Sequence, residues 1–434
     1  MRLISKSNKD MITKYGVGVR SECGKLDIVL MHRPGKELLR LTTENLEELL
    51  YDAIPNIKET HRSHDKFAQY LRDQGVHVLY VKELLRETLA SSEQARQTLI
   101  NGIICNSTLK DNDGQKFLKP LRQWLLNRKP EQLGEDVIKG VVHSRAELGS
   151  STAAQSLLDI SSLDGKFIVP PLPNLVFTRD AFSIIEKNVF IWHMAKPARR
   201  NEPLIMRVIF QYHPQLSTSG LQIVEWQTTN NNLNPATIEG GDVAYLGEGV
   251  LLIGSGERTN HAGIEALART GLLRQVIAVI LPPQRDYMHL DTVLSSVGRH
   301  AFTLHSRLAK IMEVFTVHMH DADNNNNVHS NVEWTSHGCD VRQVLSILLN
   351  DDLTFYDAED EETSIHEQRD CRHNVVVIDD GHVMTYAGGD PKKGVVARMT
   401  RNNECHVGLV QTQGLLEGGG GMHCMTNAFC RRAK

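Results

Sequence analysis

The sequence predicts an α/β fold in which five similar ββαβ modules surround a common axis, with an α-helical insertion after the first module. Three observations support this prediction. The same order of two strands, a helix and a strand recurs along the chain. A hairpin before each helix is not typical of an open, doubly wound sheet, in which single strands alternate with helices. The period is broken once, by a long stretch with helical patterns only.

The clearest module spans residues 242–281. Its alternating apolar residues and the Gly-Glu-Gly turn at residues 247–249 predict a β-hairpin. Helical spacing follows over residues 262–269, and Gly271 stands where a helix C-terminal cap is expected. The apolar run VIAVIL then predicts a buried closing strand.

Three later stretches repeat this order. Residues 180–226 contain a hairpin, a helix through ARRNEPLIMRVIFQYH and the strand LQIVEW. Residues 374–410 contain a similar unit, from the strand NVVVI to the strand CHVGLV. Residues 289–319 are compatible with a fourth module that closes with the strand VFTVHMH.

The first module starts at the strand LDIVLMH and ends at the strand VHVLYV. Two helices are expected between them. One lies in TENLEELL, where Leu46, Leu49 and Leu50 fall on one helical face. The other runs through HDKFAQYLRDQ and stops before Gly75.

The insertion covers residues 83–151, whose helical segments are separated by turn-rich sequences. We therefore expect two units. Residues 1–82 and 152–434 form the α/β unit, and residues 83–151 form the α-helical insertion. The polar stretches 321–338 and 359–370 predict surface loops.

Composition excludes several classes of protein. With 48 Lys and Arg against 52 Asp and Glu, the net charge is −4 and no like-charge block is present, which argues against nucleic-acid or membrane binding. No apolar run reaches the roughly 18 residues of a membrane helix. The N-terminus lacks the apolar core of a secretory signal. Seven irregularly spaced cysteines fit a reducing, cytoplasmic protein, and symmetric homo-oligomers, a homodimer or larger, are the general expectation.

Polar clusters recur at one place, directly before the first strand of a module. They are PLPNLVFTRD (171–180), TIEGGD (237–242), YMHLDT (287–292) and EGGGGMHCMT (417–426). In a ring of modules, equivalent positions converge on the axis. The chemically active side chains of these clusters would therefore meet in one pocket: Asp180, Glu239, Asp242, His289, Asp291 and Cys424.

Cys424 follows four glycines and His423. Glycines allow a close approach to a ligand, and a thiol near a histidine can be held as a nucleophilic thiolate. The alternative is a small buried cysteine beside a flexible tail. These residues alone leave the two interpretations open.

His289 and Asp291 stand two residues apart, so on an extended segment both side chains would point to one face. Such a pair suits a general acid beside a charge-binding carboxylate, although a lone histidine is more often structural. Glu239 and Asp242 are separated by two glycines, which would leave room for a substrate. Glu239 could orient His289, or the motif could be an ordinary turn before a strand.

Several carboxylates around one thiol would suppress thiolate formation. The arrangement is reasonable if the occupant is a cation, and two carboxylates can grip a planar guanidinium. We therefore expect a guanidino substrate that is attacked by sulfur. A zinc site is the alternative, but the spacing of these residues matches no compact metal motif, so no metal is expected.

Arg199 and Arg258 each follow a carboxylate by nineteen residues, Asp180 and Glu239 respectively. The equal offset places both arginines after the hairpin of their own module. There they could bind a substrate carboxylate through paired hydrogen bonds. An arginine that only bonds nearby loops at a helix start is the alternative.

Over nearly its whole length the sequence resembles the arginine deiminase family. The opening SECGKLDIVLMHRPGKELLRLT is similar to the start of the family, and PLPNLVFTRD, KPARR, EGGD, GERT, MHLDT and GGGGMHCMT occur in the family's order. The resemblance implies a five-bladed β/α propeller, called the pentein fold, with a pseudo-fivefold axis. It also implies hydrolysis of L-arginine to L-citrulline and ammonia through a covalent cysteine thiouronium, without a cofactor.

The resemblance implies a role for each matching position. Cys424 corresponds to the nucleophile, His289 to the general acid and base, and Glu239 to the carboxylate that holds this histidine. The other implied roles are guanidinium binding for Asp180 and Asp291, and substrate carboxylate binding for Asn174, Arg199 and Arg258. Asp242 lies in the same motif as Glu239.

The sequence also departs from the family. Some relatives carry an arginine in or beside the terminal glycine run, whereas residues 418–421 are all glycine here. Three alternative functions remain: agmatine deimination, amidino transfer on the same scaffold, and arginine binding without catalysis. Agmatine has no carboxylate for Arg199 and Arg258, and a sensor has no need of a nucleophile.

Overall fold

Strands and helices alternate along the chain, as the sequence predicts. The computed structural model describes residues 12, 15–107, 114–226, 235–319 and 332–433. Within these residues the strands are β1 (Gly18–Val19), β2 (Leu26–Met31), β3 (His77–Tyr80), β4 (Val141–Val142), β5 (Phe167–Val169), β6 (Phe182–Ile185), β7 (Asn188–Ile191), β8 (Gln222–Val224), β9 (Val243–Gly247), β10 (Val250–Ser255), β11 (Gln275–Ile280), β12 (Leu294–Gly298), β13 (Ala301–Leu304), β14 (Val314–Met319), β15 (Val332–Ser336), β16 (Thr354–Tyr356), β17 (Val376–Asp379), β18 (His382–Tyr386), β19 (His406–Val410) and β20 (Asn427–Arg431). The α-helices are α1 (Ile57–Asp73), α2 (Val81–Ser91), α3 (Glu93–Cys105), α4 (Gly114–Leu126), α5 (Pro130–Lys139), α6 (Arg145–Leu148), α7 (Thr152–Leu158), α8 (Asn201–Tyr212), α9 (His261–Ala268), α10 (Ser306–Ala309), α11 (Val341–Leu349), α12 (Glu361–Arg369) and α13 (Val395–Thr400).

The predicted ββαβ order is confirmed in the second, third and fifth modules. In the second, β6 and β7 form an antiparallel hairpin, α8 crosses over, and β8 returns parallel to β7. The third uses β9, β10, α9 and β11 in the same way, and the fifth uses β17, β18, α13 and β19. A parallel closing strand requires such a crossover, which explains why each helix lies between the last two strands.

The fourth module differs from the prediction. Its hairpin is β12–β13, but its closing strand is β16, which pairs in parallel with β13. Strand β14, predicted to close this module, pairs antiparallel with β11 and extends the third sheet. The prediction was wrong because helix α10 has only four residues, and α11 provides the crossover that a parallel partner needs.

The predicted loop at residues 321–338 is wrong in part. Residues 332–336 form β15, the antiparallel edge strand beside β14. The remainder, 321–331, lies outside the described residues. The predicted loop at 359–370 is also wrong, because residues 361–369 form α12, whose N-cap Asp360 accepts a hydrogen bond from the backbone N–H of Thr363.

The first sheet contains the C-terminal strand. Strand β20 pairs antiparallel with β2, β1 pairs in parallel with β20, and β3 pairs in parallel with β2. The segment after Cys424 is therefore not a flexible tail, because its backbone takes part in a sheet on both sides. This pairing holds the turn that carries Cys424, which lies three residues before the buried strand β20.

The predicted helix in TENLEELL is absent, and residues 43–50 form turns. Leu50 has φ of +63°, which an α-helix does not allow. Leu49 and Tyr51 are buried in a small core with Leu38 and Leu41. Burial of both residues requires the chain to bend between them, and this tertiary requirement overrides the helical pattern.

Residues 83–151 are largely helical, with one difference from the predicted pattern. Helix α5 ends at Lys139 because Gly140 has φ of +77°, and β4 then pairs with β5 instead of continuing as helix. Helix α3 packs against α8 of the second module. A Cβ added to Gly102 would lie 2.4 Å from the Leu204 side chain, so the contact is close.

Consecutive modules share hydrophobic cores. Three core clusters of the described residues each join neighbouring modules, and a fourth, the largest, joins the fifth module to the first and the first to the second. Pairs in a common cluster are Phe190 with Leu251, Leu252 with Leu294, Val297 with Val377, Met384 with Ile28, and Ile28 with Phe182. The described helices include none that is long and apolar enough to cross a bilayer.

The contribution of the C-terminal strand to stability can be predicted from the packing of Phe429. Its buried ring stacks on Phe210 with centroids 5.3 Å apart and meets Phe182 edge-on. We expect Phe429→Ala to lower the free energy of unfolding by about 3–5 kcal/mol, because a buried ring is lost. Urea denaturation measures this change. Leu409→Ala, at an exposed position on β19, is the control and should change it by less than about 0.5 kcal/mol. Equal effects of the two variants would contradict the prediction.

Candidate active site

A narrow cavity opens where the module starts converge. Six of the nine predicted site residues line it: Asn174, Asp180, Arg199, Arg258, His289 and Cys424. The other lining residues are Leu50, Phe177, Arg285, Met288, Thr292, Gly418, Gly419 and Gly420. The remaining three predicted residues do not line the cavity: Glu239 bonds to His289, Asp291 accepts a hydrogen bond from Cys424, and Asp242 accepts one from the backbone N–H of Leu290, next to His289.

Short 3-10 turns present these side chains. Pro173–Val176 precedes β6, Gly240–Asp242 precedes β9, and Leu290–Thr292 precedes β12. Each turn therefore occupies the same position in its module, and the turns at Gly240–Asp242 and Leu290–Thr292 are in contact. The prediction that clusters before the first strands meet in one place is confirmed for these residues.

The thiol of Cys424 is buried and lies between two polar side chains. It donates a hydrogen bond to Asp291 Oδ2 at 3.5 Å and accepts one from Asn374 Nδ2 at 3.2 Å. Burial raises the pKa of the Cys424 thiol well above its ordinary value, and the carboxylates of Asp291 and Asp180 add to this. In the absence of a cation the sulfur is therefore protonated at neutral pH.

His289 lies between two carboxylates. Its Nε2 bonds Glu239 Oε2 at 2.9 Å, and its Nδ1 is 3.8 Å from Asp180 Oδ1. Burial lowers the pKa of His289, but the charges of Asp180, Glu239 and Asp242 outweigh burial and raise this pKa to about 9. The ring therefore carries a proton at neutral pH, which suits a general acid.

His289 and Asp291 do not share an extended segment, contrary to the sequence argument. Only His289 is extended, and Leu290–Thr292 forms a 3-10 turn. The two side chains therefore contact different partners. Asp291 accepts a hydrogen bond from His423 Nδ1 at 2.7 Å, and its pKa, raised by burial, is lowered below the ordinary value by this histidine.

The two glycines between Glu239 and Asp242 leave room for protein atoms, not for a substrate. A Cβ on Gly240 would lie 2.1 Å from the Arg179 carbonyl oxygen, and one on Gly241 would lie 2.7 Å from the His289 ring. Neither glycine lines the cavity. The glycines therefore allow the His289 ring to pack directly on the backbone beside Glu239.

Asp242 supports the turn that carries His289. Its Oδ1 accepts a hydrogen bond from the backbone N–H of Leu290 at 2.9 Å, and its Oδ2 is buried without a hydrogen-bond partner among the described residues. Burial raises the pKa of Asp242 to about 7. This carboxyl group fixes the position of His289 through the backbone and is not placed to touch a ligand.

Two carboxylate oxygens remain available for a cation. Within the described chain, Asp180 Oδ1 and Asp291 Oδ1 are buried and have no hydrogen-bond partner. Both residues influence the Cys424 sulfur electrostatically, so both carboxylates lie near it. Buried unpaired carboxylate oxygens are costly, and a guanidinium in the cavity would satisfy them.

Arg199 and Arg258 differ in their free donors, although their sequence offsets are equal. All three Arg199 nitrogens donate hydrogen bonds, Nη1 to Asp180 at 2.6 Å and Nε and Nη2 to Glu202 at 3.0 and 2.7 Å. Arg258 Nη1 donates to Glu239 at 3.1 Å, while its Nε has no hydrogen-bond partner among the described residues. Each arginine therefore neutralises the carboxylate nineteen residues before it, and Arg258 alone keeps a buried nitrogen without an acceptor.

Asn174 lines the cavity and closes it against the first module. Its side-chain Nδ2 donates a hydrogen bond to the Leu49 carbonyl at 2.7 Å, and its backbone carbonyl accepts one from Arg199 Nη2 at 3.3 Å. The side-chain oxygen of Asn174 is the atom of this residue that remains to face a ligand.

Sequence reasoning missed several residues of the site. Asn374 reaches it from the loop before β17, outside the motifs that precede β6, β9 and β12. His423 bonds Asp291 and Glu22, and Arg285 lines the mouth, where it pairs with Asp52. His423 had a sequence signal, its position beside Cys424. Asn374 had one as well, because it stands just before β17, the first strand of the fifth module. Arg285 comes from a stretch without a motif and is brought in by tertiary contacts.

Among the residues that the structure describes, two groups of side chains have the proximity that a metal ion needs. One is Asp180, Glu239 and His289, but two guanidinium groups and an imidazolium already neutralise these carboxylates. The other consists of His305, Asp357 and His373, where Asp357 already accepts hydrogen bonds from His373, Ser364 and two backbone N–H groups. Neither donor set favours a divalent cation over the existing partners.

A family model and two known relatives that match this sequence are described as arginine deiminases. The family model named Arginine deiminase matches residues 47–431. An arginine deiminase of Listeria monocytogenes is 30% identical over 428 residues, which cover 97% of this chain and 99% of the relative. An arginine deiminase of Rhodococcus erythropolis is 33% identical over 374 residues, 85% of this chain and 87% of the relative.

Solved structures show the same fold at low sequence identity. An amidinotransferase of Microseira wollei from the saxitoxin pathway has 13% identity and a TM-score of 0.51, covering 96% of this chain and 98% of its own. The N-terminal domain of ArgZ, a cyanobacterial arginine dihydrolase, has 12% identity and a TM-score of 0.50, covering 93% and 97%. These structures support the α/β pentein fold. Since the family model spans most of the sequence and the relatives align almost end to end, the chain belongs to the arginine deiminase family.

Proposed function

We propose that this protein hydrolyses L-arginine to L-citrulline and ammonia. The observation that carries the proposal is a buried thiol, Cys424, in one cavity with a protonated histidine and Asp180, while Asp291 lies directly beside the sulfur. Both carboxylates have a buried oxygen without a hydrogen-bond partner among the described residues. Such a cavity suits a guanidinium, because its fixed positive charge satisfies Asp180 and Asp291. Family membership gives the same reaction.

The first half of the reaction forms a covalent intermediate. The bound guanidinium offsets the charge of the carboxylates around Cys424, so the thiol pKa falls and the thiol releases its proton to the solvent, because His289 is already protonated. The thiolate attacks the central guanidinium carbon and gives a tetrahedral adduct. His289 donates its proton to the departing nitrogen, ammonia leaves, and a thiouronium remains.

The second half returns the enzyme to its starting state. His289, now neutral, removes a proton from a water molecule, and the resulting hydroxide attacks the same carbon. The C–S bond breaks as the hydroxyl group on the carbon becomes the carbonyl of citrulline, and the proton of that hydroxyl group returns to the Cys424 sulfur. His289 keeps the proton that it took from water, so both groups regain their starting state. Glu239 holds the ring of His289 through both steps, while Asp180 and Asp291 orient the substrate.

For the other end of the substrate we propose Arg258, Arg199 and Asn174 as carboxylate ligands. Arg258 has a buried nitrogen without an acceptor, which supports direct binding. Arg199 is engaged by Asp180 and Glu202, so it must exchange one partner before it binds a carboxylate.

We also propose that the five modules close into a five-bladed β/α propeller with a pseudo-fivefold axis. The cores shared between neighbours, including the fifth and first modules, support this arrangement. Residues 1–82 and 152–434 would form the propeller, and 83–151 the inserted helices. A homodimer or larger assembly in the cytoplasm is our further proposal, and the seven free cysteines suit a reducing compartment.

Cys424→Ala tests the covalent mechanism. We expect kcat to fall by at least roughly 10⁴-fold because the nucleophile is lost, while L-arginine still binds. A citrulline assay and isothermal titration calorimetry measure the two effects. Cys339→Ala, at an exposed cysteine, should retain full turnover. Citrulline production by the Cys424 variant at the rate of the parent would exclude the proposal.

Arg258→Ala tests the substrate carboxylate site. We expect KM for L-arginine to rise by about tenfold to a hundredfold, the range for a lost charged hydrogen bond, with no such change for agmatine. Arg269→Ala, at an exposed arginine of α9, is the matched control. An unchanged KM for arginine would argue for agmatine deimination. Citrulline formation without an acceptor amine separates hydrolysis from amidino transfer.

The pKa of His289 tests its proposed role as the acid. We expect its ring signal to titrate near pH 9 in NMR spectra, assigned by comparison with His289→Asn. Glu239→Gln should lower this pKa by about 1–3 units, because a neighbouring negative charge is removed. Glu313→Gln, at a partly exposed carboxylate that bonds Ser336 outside the site, should leave it unchanged. Titration of the wild-type ring near its ordinary value would contradict a proton-donor role at neutral pH.

A further inference from the structure

Asn374 makes more contacts with the nucleophile segment than any predicted residue. Its side-chain Oδ1 accepts hydrogen bonds from the backbone N–H groups of His423 at 2.9 Å and Cys424 at 3.2 Å. Its Nδ2 donates to the Asp291 carbonyl at 3.0 Å and to the Cys424 sulfur at 3.2 Å. One buried amide thus contacts both the backbone N–H and the sulfur of Cys424, and it also contacts the turn Leu290–Thr292 that carries Asp291.

The surrounding backbone fixes which end of the amide faces the sulfur. A backbone N–H can only donate, so the atom that meets His423 and Cys424 has to be the oxygen. The other atom meets the carbonyl oxygen of Asp291, which can only accept, so it has to be the NH₂ group. An amide flip would place donors against donors, and Nδ2–H therefore points to the Cys424 sulfur.

The loop that carries Asn374 is held from both sides. Thr303 Oγ1 donates to the His373 carbonyl at 2.6 Å, and Thr385 Oγ1 donates to the Arg372 carbonyl at 3.0 Å. The His373 ring bonds Asp357 at 2.7 Å. These bonds hold the backbone next to Asn374 in place, so the Nδ2 donor keeps its position if the Cys424 side chain moves.

The last glycine before Met422 allows this contact. A Cβ on Gly421 would lie 2.3 Å from Asn374 Oδ1. Any side chain at position 421 would therefore displace the amide. This glycine is required by a protein side chain and not by a ligand.

We propose that Asn374 is a catalytic residue of this enzyme, whose amide N–H stabilises the Cys424 thiolate and holds the sulfur for attack. The carboxylates of Asp291 and Asp180 lie near the Cys424 sulfur and oppose its ionisation. The N–H of Asn374 contacts the same sulfur and has the opposite effect, because it donates a hydrogen bond to the thiolate. A neutral donor lowers the cost of the thiolate without competing for the guanidinium, as a lysine or arginine would. The inference rests on the proposed function, in which Cys424 attacks the substrate.

Asn374→Asp and Asn374→Ala are tested together. Aspartate keeps the oxygen that both backbone N–H groups need, removes the donor and adds a negative charge beside the sulfur, whereas alanine removes the donor without adding a charge. We expect the pKa of Cys424, measured as the pH dependence of its alkylation by iodoacetamide and located by mass spectrometry, to rise by at least about one unit. We expect kcat to fall by about tenfold to a hundredfold with little change in KM. Asn374→Ala should also raise the thiol pKa, without the added charge.

Asn427→Asp is the matched control. Asn427 is also buried, lies three residues after Cys424, and donates through Nδ2 to the carbonyls of Thr178, Arg179 and Phe182. This variant should lose stability, measured by thermal unfolding, and keep the Cys424 alkylation profile of the wild type. If Asn374→Asp and Asn374→Ala also keep that profile while folded, the role of Asn374 is refuted. Cys424→Ala tests the nucleophile separately, so failure of the proposed function is a different outcome.

Discussion

The site depends on the balance of buried charge around Glu239. This fully buried carboxylate accepts hydrogen bonds from His289, Arg258 and the backbone N–H of Ala195. Burial raises the pKa of Glu239, but these partners and Arg199 hold it well below its ordinary value. A buried charge is tolerated only when it is paired, so loss of one partner would disturb the others. The protonated state of His289 follows from this network.

The same balance explains why the cavity suits a cation and yet contains a nucleophile that needs to ionise. Burial, together with the charges of Asp291 and Asp180, raises the pKa of the Cys424 thiol. In the proposed reaction a bound guanidinium offsets these charges, so the reactive thiolate would form beside its substrate. This coupling protects the sulfur from unproductive chemistry, and it makes ionisation of the thiol dependent on binding.

Much of this could be predicted from the sequence, because the signals are local. The repeated hairpins and helices have periodic apolar residues, and the clusters around Asp180, Glu239 and His289 precede first strands. The failures have a common cause. Strand β14 has a correct strand pattern but pairs with β11 of the preceding module, and residues 43–50 have a helical pattern but bend at Leu50. In both cases long-range packing selects among structures that the local pattern allows.

The sequence by itself determined the modules, the reactive side chains and the place in each module where those side chains stand, because periodicity and turn chemistry act over a few residues. Only the tertiary structure decided the partners. Asn374 has no motif, yet it meets Cys424 fifty residues away because both lie on backbone held by neighbouring sheets. The equal spacing of Arg199 and Arg258 did not reveal that one has all its donors engaged and the other does not. Hydrogen bonds depend on distance in space, which spacing along the chain does not encode.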